Sequence, residues 1–568
     1  MSTLVCVPIT VRDPEQAVAD AVRARDAGAD IIEYRIDEFF TGEDESREYE
    51  TAQILAMVSG SPLPSIVTCR VASEGGAYEG SEESRAGLYE RLASPEAGEH
   101  PPRYIDCEHA SFVSSDALRA AIGRATALTS TDGASAGLVL SMHDFQTRPA
   151  DLTRRLLAMQ GQEAASVVKV AYRARSLRDC LELLDLPAHV GKPTIALGMG
   201  EFGLMSRVLA PKFGGFLTFA ALRSASATAP GQPTVKELLD LYRFRSIRRS
   251  TAVYGVIGWP VGHSLSPLVH NAGFEEVGHD GVYLPLPIAA GEGKDTPGAY
   301  ESFKGTLLEL IEHPRLNFRG ASVTIPHKEH LARLAMESDW EIDELSKFVG
   351  AANTLIIERG ATGGMSRCRV ANTDAPAALD CVAEAVGDVR GKVVAIAGAG
   401  GVAKGIAAAL AGAGAMLRIA NRDLSRARAL ADAVNGRFGA GAAEWLSPAQ
   451  LTEHAVDVFI NCTPVGMKGG PDPTGLGVEI GALAARSPAL TVMDTVYNPV
   501  RTPLVVEAER AGLRTIDGVG MFVRQASMQF SAWTGKPAPR AKFEALVRTA
   551  LAQSEAGGAT GGEGGGEG

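Results

Sequence analysis

The sequence predicts an α/β chain in two halves, a TIM-type (β/α)8 barrel followed by a two-domain unit that contains a Rossmann dinucleotide-binding domain. Three observations predict it. Eight short β-branched runs alternate with helical segments over about the first 245 residues. The alternation pauses at YRFRSIRRSTAV and restarts with YGVIGWP. A glycine-rich turn, GAGGVA at 398–403, falls between the strand-like KVVAIA and an alanine-rich helical run. At 568 residues the chain is also too long for one hydrophobic core.

In order, the eight runs are LVCVPIT (4–10), IIEYRID (31–37), SIVTCR (65–70), YIDCE (104–108), GLVLSMHD (137–144), SVVKVAY (166–172), PTIALGMG (193–200) and FGGFLTFA (213–220). Between the first two, DPEQAVADAVRARDAGAD carries Ala and Val at helical spacing and ends in a glycine stop signal. An open doubly wound sheet is the alternative architecture for the same alternation. The barrel is assigned to 1–246, with a short linker near 246–251. A substrate-binding domain follows over 252–375, completed by about 520–552, and the Rossmann domain takes 385–518. The Gly/Glu-rich tail, 553–568, is expected to be disordered.

A formal charge of -12 opposes attachment to nucleic acid or an anionic membrane. No apolar stretch reaches the length of about eighteen residues that a membrane span needs. The seven cysteines form no C-x-x-C pair and lack the Cys/His spacing of structural zinc, so reduced thiols, no metal and a cytoplasmic setting are expected.

The chemistry begins with Lys169, an amine inside a valine-rich strand, where leaving water is costly. In the second strand Glu33, Arg35 and Asp37 alternate with Ile32, Tyr34 and Ile36, so the charges share one face. Arg70, His143, Asp144 and Lys169 come late in their strands, and Arg207 and Gln232 follow the seventh and eighth, all at the C-terminal rim where this fold holds its sites. Such a basic pocket suits a carboxylate substrate. Desolvation and neighbouring arginines are expected to keep Lys169 neutral and nucleophilic. His143 is expected to titrate near neutrality, as general base and then acid.

The pieces EYRID, TCR followed by EGG, MHDF, VVKVA, GMGEFGLMSR, and FLTFAAL followed by APGQ resemble type I 3-dehydroquinate dehydratase across the first domain. The resemblance implies that Lys169 forms an imine with a ring ketone, that His143 is the acid/base, and that Glu74 orients it. It implies that Glu33, Arg35, Arg70, Arg207 and Gln232 hold the carboxylate and hydroxyls of 3-dehydroquinate. Thr228 stands where the family commonly has serine, keeping the hydroxyl and adding a methyl group.

In the glycine-rich turn, Gly398 permits the tight bend and Gly400 lets the helix N-terminus approach a pyrophosphate. The next strand, MLRIA, ends in Asn421 and Arg422, with Arg426 beyond; guanidinium groups suit a 2'-phosphate, so NADP(H) is expected. A shifted register would instead let Asp423 meet a ribose. The motifs GWPVGHSLSPLVHN, SVTIPHK, GAANTL, NTDA, NCTPVGM, DTVYNPVRTPLV and GVGMFVRQASMQF resemble shikimate dehydrogenase, in family order, from about 252 to 535. That resemblance implies that Ser264 and Ser266 bind the substrate carboxylate, that Lys328 and Asp374 are the catalytic pair, and that Thr324, Asn353, Tyr497 and Gln525 line the substrate site. The implied cofactor set is Gly398, Ala399, Gly400, Gly401, Val402, Ala403, Asn421, Arg422, Arg426, Thr463 and Gly520.

Thr324 and Lys328 lie four apart, and share a face if a helix begins at Pro326. The segment 289–318 is longer than the family's usual connection. Taken together, 3-dehydroquinate would lose water to give 3-dehydroshikimate, which the second half would reduce to shikimate. A quinate/shikimate dehydrogenase using NAD is the alternative for the second half. A metabolite-binding regulator without catalysis is the other alternative, but it should have lost Lys169, His143, Lys328 or Asp374, and all four are present.

Overall fold

Alternation with period two lets a strand bury one face in a barrel interior and the other against outer helices. The first eight strands do this in the computed structural model, which describes residues 2–40, 47–93, 100–127, 136–223, 231–289, 298–360, 363–471 and 476–560. Contacts divide the chain into two compact units: Met1–Ala252 with the short segments Pro260–Gly262 and Leu284–Ala289, and the remainder.

In the first unit the strands are β1 (Leu4–Thr10), β2 (Ile31–Arg35), β3 (Ser65–Thr68), β4 (Tyr104–Glu108), β5 (Gly137–Asp144), β6 (Ala165–Arg173), β7 (Thr194–Met199) and β8 (Leu217–Phe219). Each pairs in parallel with the next from β1 to β7, and β1 also pairs with β8. The Phe216 N–H donates to Thr194 O at 2.8 Å and closes the ring between β7 and β8. The open-sheet alternative is excluded.

Inside, Ile31, Ile66, Val139, Val167, Ile195 and Leu217 form an apolar floor. Two residues further along the same faces stand Glu33, Thr68, Ser141 and Lys169, all buried. The floor thus seals one end, and the polar layer begins above it.

The expected linker is part of this unit. Ile247 and Thr251 are buried, and the buried amine of Lys212 donates to Arg249 O at 2.7 Å and Thr251 O at 2.8 Å.

The second unit holds β9 (Ala252–Gly258, but for its first residue), β10 (Gly281–Pro287, in part), β11 (Phe318–Val323), β12 (Glu341–Ile342), β13 (Thr354–Arg359) and β14 (Met365–Ala371), in the sheet order β10-β9-β11-β13-β14-β12. A second sheet follows, β15 (Val393–Ala397), β16 (Met416–Ala420), β17 (Ala443–Leu446), β18 (Val458–Asn461), β19 (Thr491–Asp494) and β20 (Arg514–Ile516). Its order is β17-β16-β15-β18-β19-β20 and every pairing is parallel. That is the doubly wound arrangement, with its switch point between β15 and β18.

Within the long 289–318 segment lies a helix, Ala299–Glu312. One expectation changes. The tail expected to be unstructured from 553 is helical to the end of Arg540–Thr560, because its Ala, Gln and Glu residues continue the preceding helix; 561–568 lie outside the described residues.

Lys212→Met strands two carbonyls that now accept from a buried amine. The first unit should lose about 1–3 kcal/mol, measured as a lowered midpoint in its denaturant unfolding while the second unit's transition stays in place.

Candidate active sites

The polar layer of the barrel is a connected set of charges. Lys169 Nζ donates to Glu33 Oε1 at 3.0 Å and to Asp106 Oδ2 at 3.1 Å. Arg70 donates to Asp106 at 2.8 Å and Glu108 at 3.1 Å, and Arg85 to Glu108 at 2.7 Å. Burial opposes the charge on Asp106, but Arg70 and Lys169 hold its carboxyl below the usual range. The Phe219 ring lies 4.6 Å from the Lys169 amine. The expected crowding of Lys169 by like charge is therefore corrected: carboxylates from β2 and β4 are the groups in contact, because barrel closure carries them to the centre.

Glu33, Arg35, Arg70, Glu74, His143, Lys169, Arg207 and Gln232 all line one pocket with about 500 Å³ of empty space, partly open to solvent. Thr228 lies outside the described residues. Asp37 makes a two-pronged pair with Arg35 and accepts from Ala77 N, so it ties the β2 end to the loop carrying Glu74. In that loop a Cβ on Gly76 would come within 2.0 Å of Arg70 O, which explains the second glycine of EGG. Asp144 caps a turn by accepting from Gln146 N and Thr147 N.

Glu74 Oε2 accepts from His143 N at 2.9 Å and lies 3.1 Å from its Nδ1, which leaves Nε2 as the ring atom free to work. Burial, with Glu108 and Asp106 nearby, pushes Glu74 up to about 7 against the pull of Arg70. Burial first, then Arg70, Lys169 and Arg35, push His143 well below its ordinary value. The expectation of a titration near neutrality is thus overturned: free His143 is a neutral base. Burial lowers Arg207 to about 10; its Nε has no partner, and its hydrogen bond is a long one to Phe219 O, 3.5 Å. A buried guanidinium with no carboxylate among the described residues is ready for an anion.

Asp106, Glu108, Ser141 and Arg85 were missed from sequence. The signal existed for the first two: YIDCE alternates acid and apolar residues as IIEYRID does.

In the second unit, Lys328 Nζ donates to Asp374 Oδ2 at 2.6 Å. Lys328 opens the helix Lys328–Glu337 and Asp374 opens Asp374–Val386. The helix does not begin at Pro326. Trp259 N and His327 N hydrogen-bond to Ile325 O and Thr324 O, and the helix starts at Lys328, so Thr324 and Lys328 share no helix face. Backbone bonds from Val323 N to Asn353 O and from Ala352 N to Lys328 O bring Thr324, Asn353 and Lys328 together. Asn353 Oδ1 accepts from Thr373 N, Thr373 Oγ1 and Thr354 Oγ1, leaving Nδ2 without a partner among the described residues. Ser264 Oγ accepts from Ser266 N at 3.2 Å, where the helix Ser266–Glu276 begins. Tyr497 packs on Phe522 at 5.1 Å, three residues from half-buried Gln525. No hydrogen bond among the described residues joins Tyr497 or Gln525 to Lys328 or Asp374.

A nicotinamide dinucleotide fits the turn after β15. Gly398 has φ +118, and a Cβ there would meet Cys462 O and Thr463 Cγ2 at 3.2 Å; a Cβ on Gly400 or Gly401 would meet nothing within 4 Å. The helix Gly401–Gly412 has no side-chain cap, and open space lies beside Gly400 and Gly401 at its N-terminus. Ala399 and Ala403 are buried in the helix–sheet core with Val402 beside them, so they serve through backbone and close packing. Beyond β16, Arg422 and Arg426 are exposed and make no salt bridge among the described residues, while Asn421 Nδ2 donates to Asp423 O. Asp423 caps the helix Leu424–Phe438, its Oδ1 accepting from Ser425 N and Arg426 N. Thr463 Oγ1 donates to Asn461, and Gly520 N donates to the cap residue Asp517.

Family models agree with this division. The model for type I 3-dehydroquinase matches residues 5–249, that for the shikimate dehydrogenase substrate binding domain 256–355, that for shikimate / quinate 5-dehydrogenase 380–464, and that for the shikimate 5'-dehydrogenase C-terminal domain 518–548. The chloroplastic bifunctional 3-dehydroquinate dehydratase/shikimate dehydrogenase of Arabidopsis thaliana is 36% identical, over 95% of this chain and 83% of its own. The NADP(+) shikimate dehydrogenase of Methanocella arvoryzae is 36% identical, over 53% of this chain and 99% of its own. Among solved structures, quinate dehydrogenase from Corynebacterium glutamicum in complex with NAD is 28% identical, over 53% of this chain and 99% of its own, with a TM-score of 0.44.

Because the folded barrel refuses a proton that the unfolded imidazole accepts below about 6.5, His143 makes stability fall as pH drops through that value. The ¹⁵N shifts of His143 should stay in the neutral range from pH 8 to pH 6. A pH effect on activity near 7 should belong to Glu74 and disappear in Glu74→Gln.

Proposed function

We infer that Lys169 and Lys328 are the two catalytic amines of this chain, which belongs to the bifunctional type I 3-dehydroquinate dehydratase/shikimate dehydrogenase family. The chain therefore catalyses both reactions, in the shikimate pathway. The observation that carries the Lys169 assignment is the convergence of seven other side chains chosen from sequence on the barrel pocket that it lines.

In the dehydration, the Lys169 ammonium passes a proton to Glu33, in contact at 3.0 Å, which gives it back to the carbinolamine hydroxyl that leaves as water, while Asp106 stays ionised. The amine adds to the ketone of 3-dehydroquinate, and loss of water gives an iminium ion. The same carboxylates then face that cation. Neutral His143 removes the ring proton through Nε2, and the resulting imidazolium protonates the departing hydroxyl as the double bond forms. Hydrolysis of the imine releases 3-dehydroshikimate and restores the amine. Arg207, with Arg35, Arg70 and Gln232, anchors the carboxylate and hydroxyls; Thr228 is proposed for the same role from the family motif.

In the reduction, Ser264 and Ser266 hold the substrate carboxylate, and Asn353 offers its free amide to a hydroxyl, with Thr324, Tyr497 and Gln525 around the ring. Lys328, oriented by Asp374, gives a proton to the ketone oxygen as negative charge builds there. The family uses NADP or NAD, whose reduced form would supply the hydride. We assign NADP(H), held by Gly398–Ala403, Asn421, Thr463 and Gly520; exposed Arg422 and Arg426 favour a 2'-phosphate. Seven unpaired cysteines suit a reducing compartment such as the cytoplasm, and no helix among the described residues is long and apolar enough to cross a membrane.

Supplied with 3-dehydroquinate and NADPH, the wild type should oxidise nicotinamide. Lys169→Ala should not, and 3-dehydroshikimate should rescue it; continued turnover of dehydroquinate would sink the imine role. Borohydride should trap an adduct on wild type alone. Lys328→Ala should lose about 10²–10⁴-fold in reduction and keep dehydration. Arg422→Ala with Arg426→Ala should raise KM for NADPH about ten- to a hundred-fold, leaving NADH unaffected; faster quinate oxidation with NAD in wild type would favour the alternative reading.

A further inference from the structure

At the ends of β18 and β19, three donors converge on one buried carboxylate. Asp494 is wholly buried. Its Oδ1 accepts from Asn461 Nδ2 at 3.0 Å and from Val496 N at 3.0 Å, and its Oδ2 accepts from Thr502 Oγ1 at 2.6 Å. Burial raises its pKa against these bonds, and no cation among the described residues pairs with it.

These partners tie together two loops with different tasks. Asn461 Oδ1 accepts from Thr463 N at 3.0 Å and Thr463 Oγ1 at 2.7 Å, and its Nδ2 also donates to Val465 O. It therefore shapes the loop that lies against Gly398 of the dinucleotide turn. Val496 and Thr502 bracket the loop that carries Tyr497, and Thr502 caps the helix Pro503–Arg510 at the same time. Asn461 and Asp494 are register neighbours on parallel strands, and Lys468 N donates to Asn498 O at 2.9 Å further out. Two loops at a switch-point crevice, one facing cofactor and one facing substrate, are fastened at a single acidic group.

We propose that Asp494 is a positioning residue for the reduction, clasping the cofactor-side loop of Thr463 to the substrate-side loop of Tyr497. The proposal rests on the site reading given above. Asp494 touches neither reactant; it fixes the spacing between the groups that do, and a shift of about 1 Å in such spacing is costly. The clasp works by hydrogen-bond geometry, not by charge. An asparagine there could still accept from Asn461 and Val496 through its oxygen and donate to the Thr502 hydroxyl, which can rotate to accept.

Steady-state kinetics of Asp494→Ala and Asp494→Asn decide it, with the dehydratase rate of the same chain as the concentration control. Asp494→Ala should raise KM for shikimate and for the nicotinamide together, by about ten-fold or more, with a smaller fall in kcat. Asp494→Asn should stay within about three-fold of wild type. Unchanged KM values in the alanine variant, or equal damage in both variants, overturn the clasp. If the alanine variant loses the thermal transition of the second unit, Thr502→Val takes its place: a joint rise in both KM values supports the proposal and none overturns it. Tyr497→Phe is measured alongside. An unchanged shikimate KM there removes the site reading and the clasp with it, whereas a raised one beside an unaffected Asp494→Ala removes the clasp alone.

Discussion

Lys169 lies between two carboxylates at the centre of the barrel, and the rest of the first unit is arranged around that ion cluster. An amine alone at this depth would be intolerable, and a single carboxylate would leave the arginines above it unbalanced. Glu33 and Asp106 neutralise the lysine, Asp106 and Glu108 neutralise Arg70, and Glu108 neutralises Arg85. Arg207 and neutral His143 stand outside this compensation. The pocket is therefore balanced where its own structure needs balance, and left positive at Arg207 and basic at His143, the two groups proposed to meet a substrate carboxylate and a ring proton.

The second unit handles its lysine differently. Lys328 and Asp374 are each the first residue of a helix. The positive end of a helix favours the carboxylate and disfavours the ammonium, and the 2.6 Å pairing offsets the second effect with the first. Both residues are partly open to solvent, at 24% and 16%, so this pair avoids the desolvation that the barrel cluster must overcome. One chain thus orients two amines by two routes: burial among charges, and helix termini beside a crevice.

Much of this was legible in the residues. The alternation in EYRID showed charge facing inward, and the motif order placed every described dehydratase residue on one pocket. The dinucleotide turn was legible because Gly398 holds a backbone conformation that side chains disfavour, between a strand and a helix. What escaped were partners set by closure. Asp106 and Glu108 share the alternation of β4, yet nothing local distinguishes a surface acid from one facing a lysine. His143 looked like an ordinary titrating imidazole because its sequence neighbours carry no hint of the burial, or of the Arg70, Lys169 and Arg35 charges, that keep it neutral. The helix after Thr324 starts two residues later than the Pro326 pattern suggested, since the backbone at 324–327 is bonded to the end of β9 and to itself.

The sequence by itself determined the order of elements, the inward faces of the strands and the residue types able to do the chemistry, since these depend on spacing along the chain. Tertiary structure decided which charges touch. Lys169 meets Glu33 across 136 residues and Asp106 across 63, and those distances exist only once the ring of strands is closed. Electrostatic energy depends on separation in space and on exclusion of water, and neither is written in the local pattern of a chain.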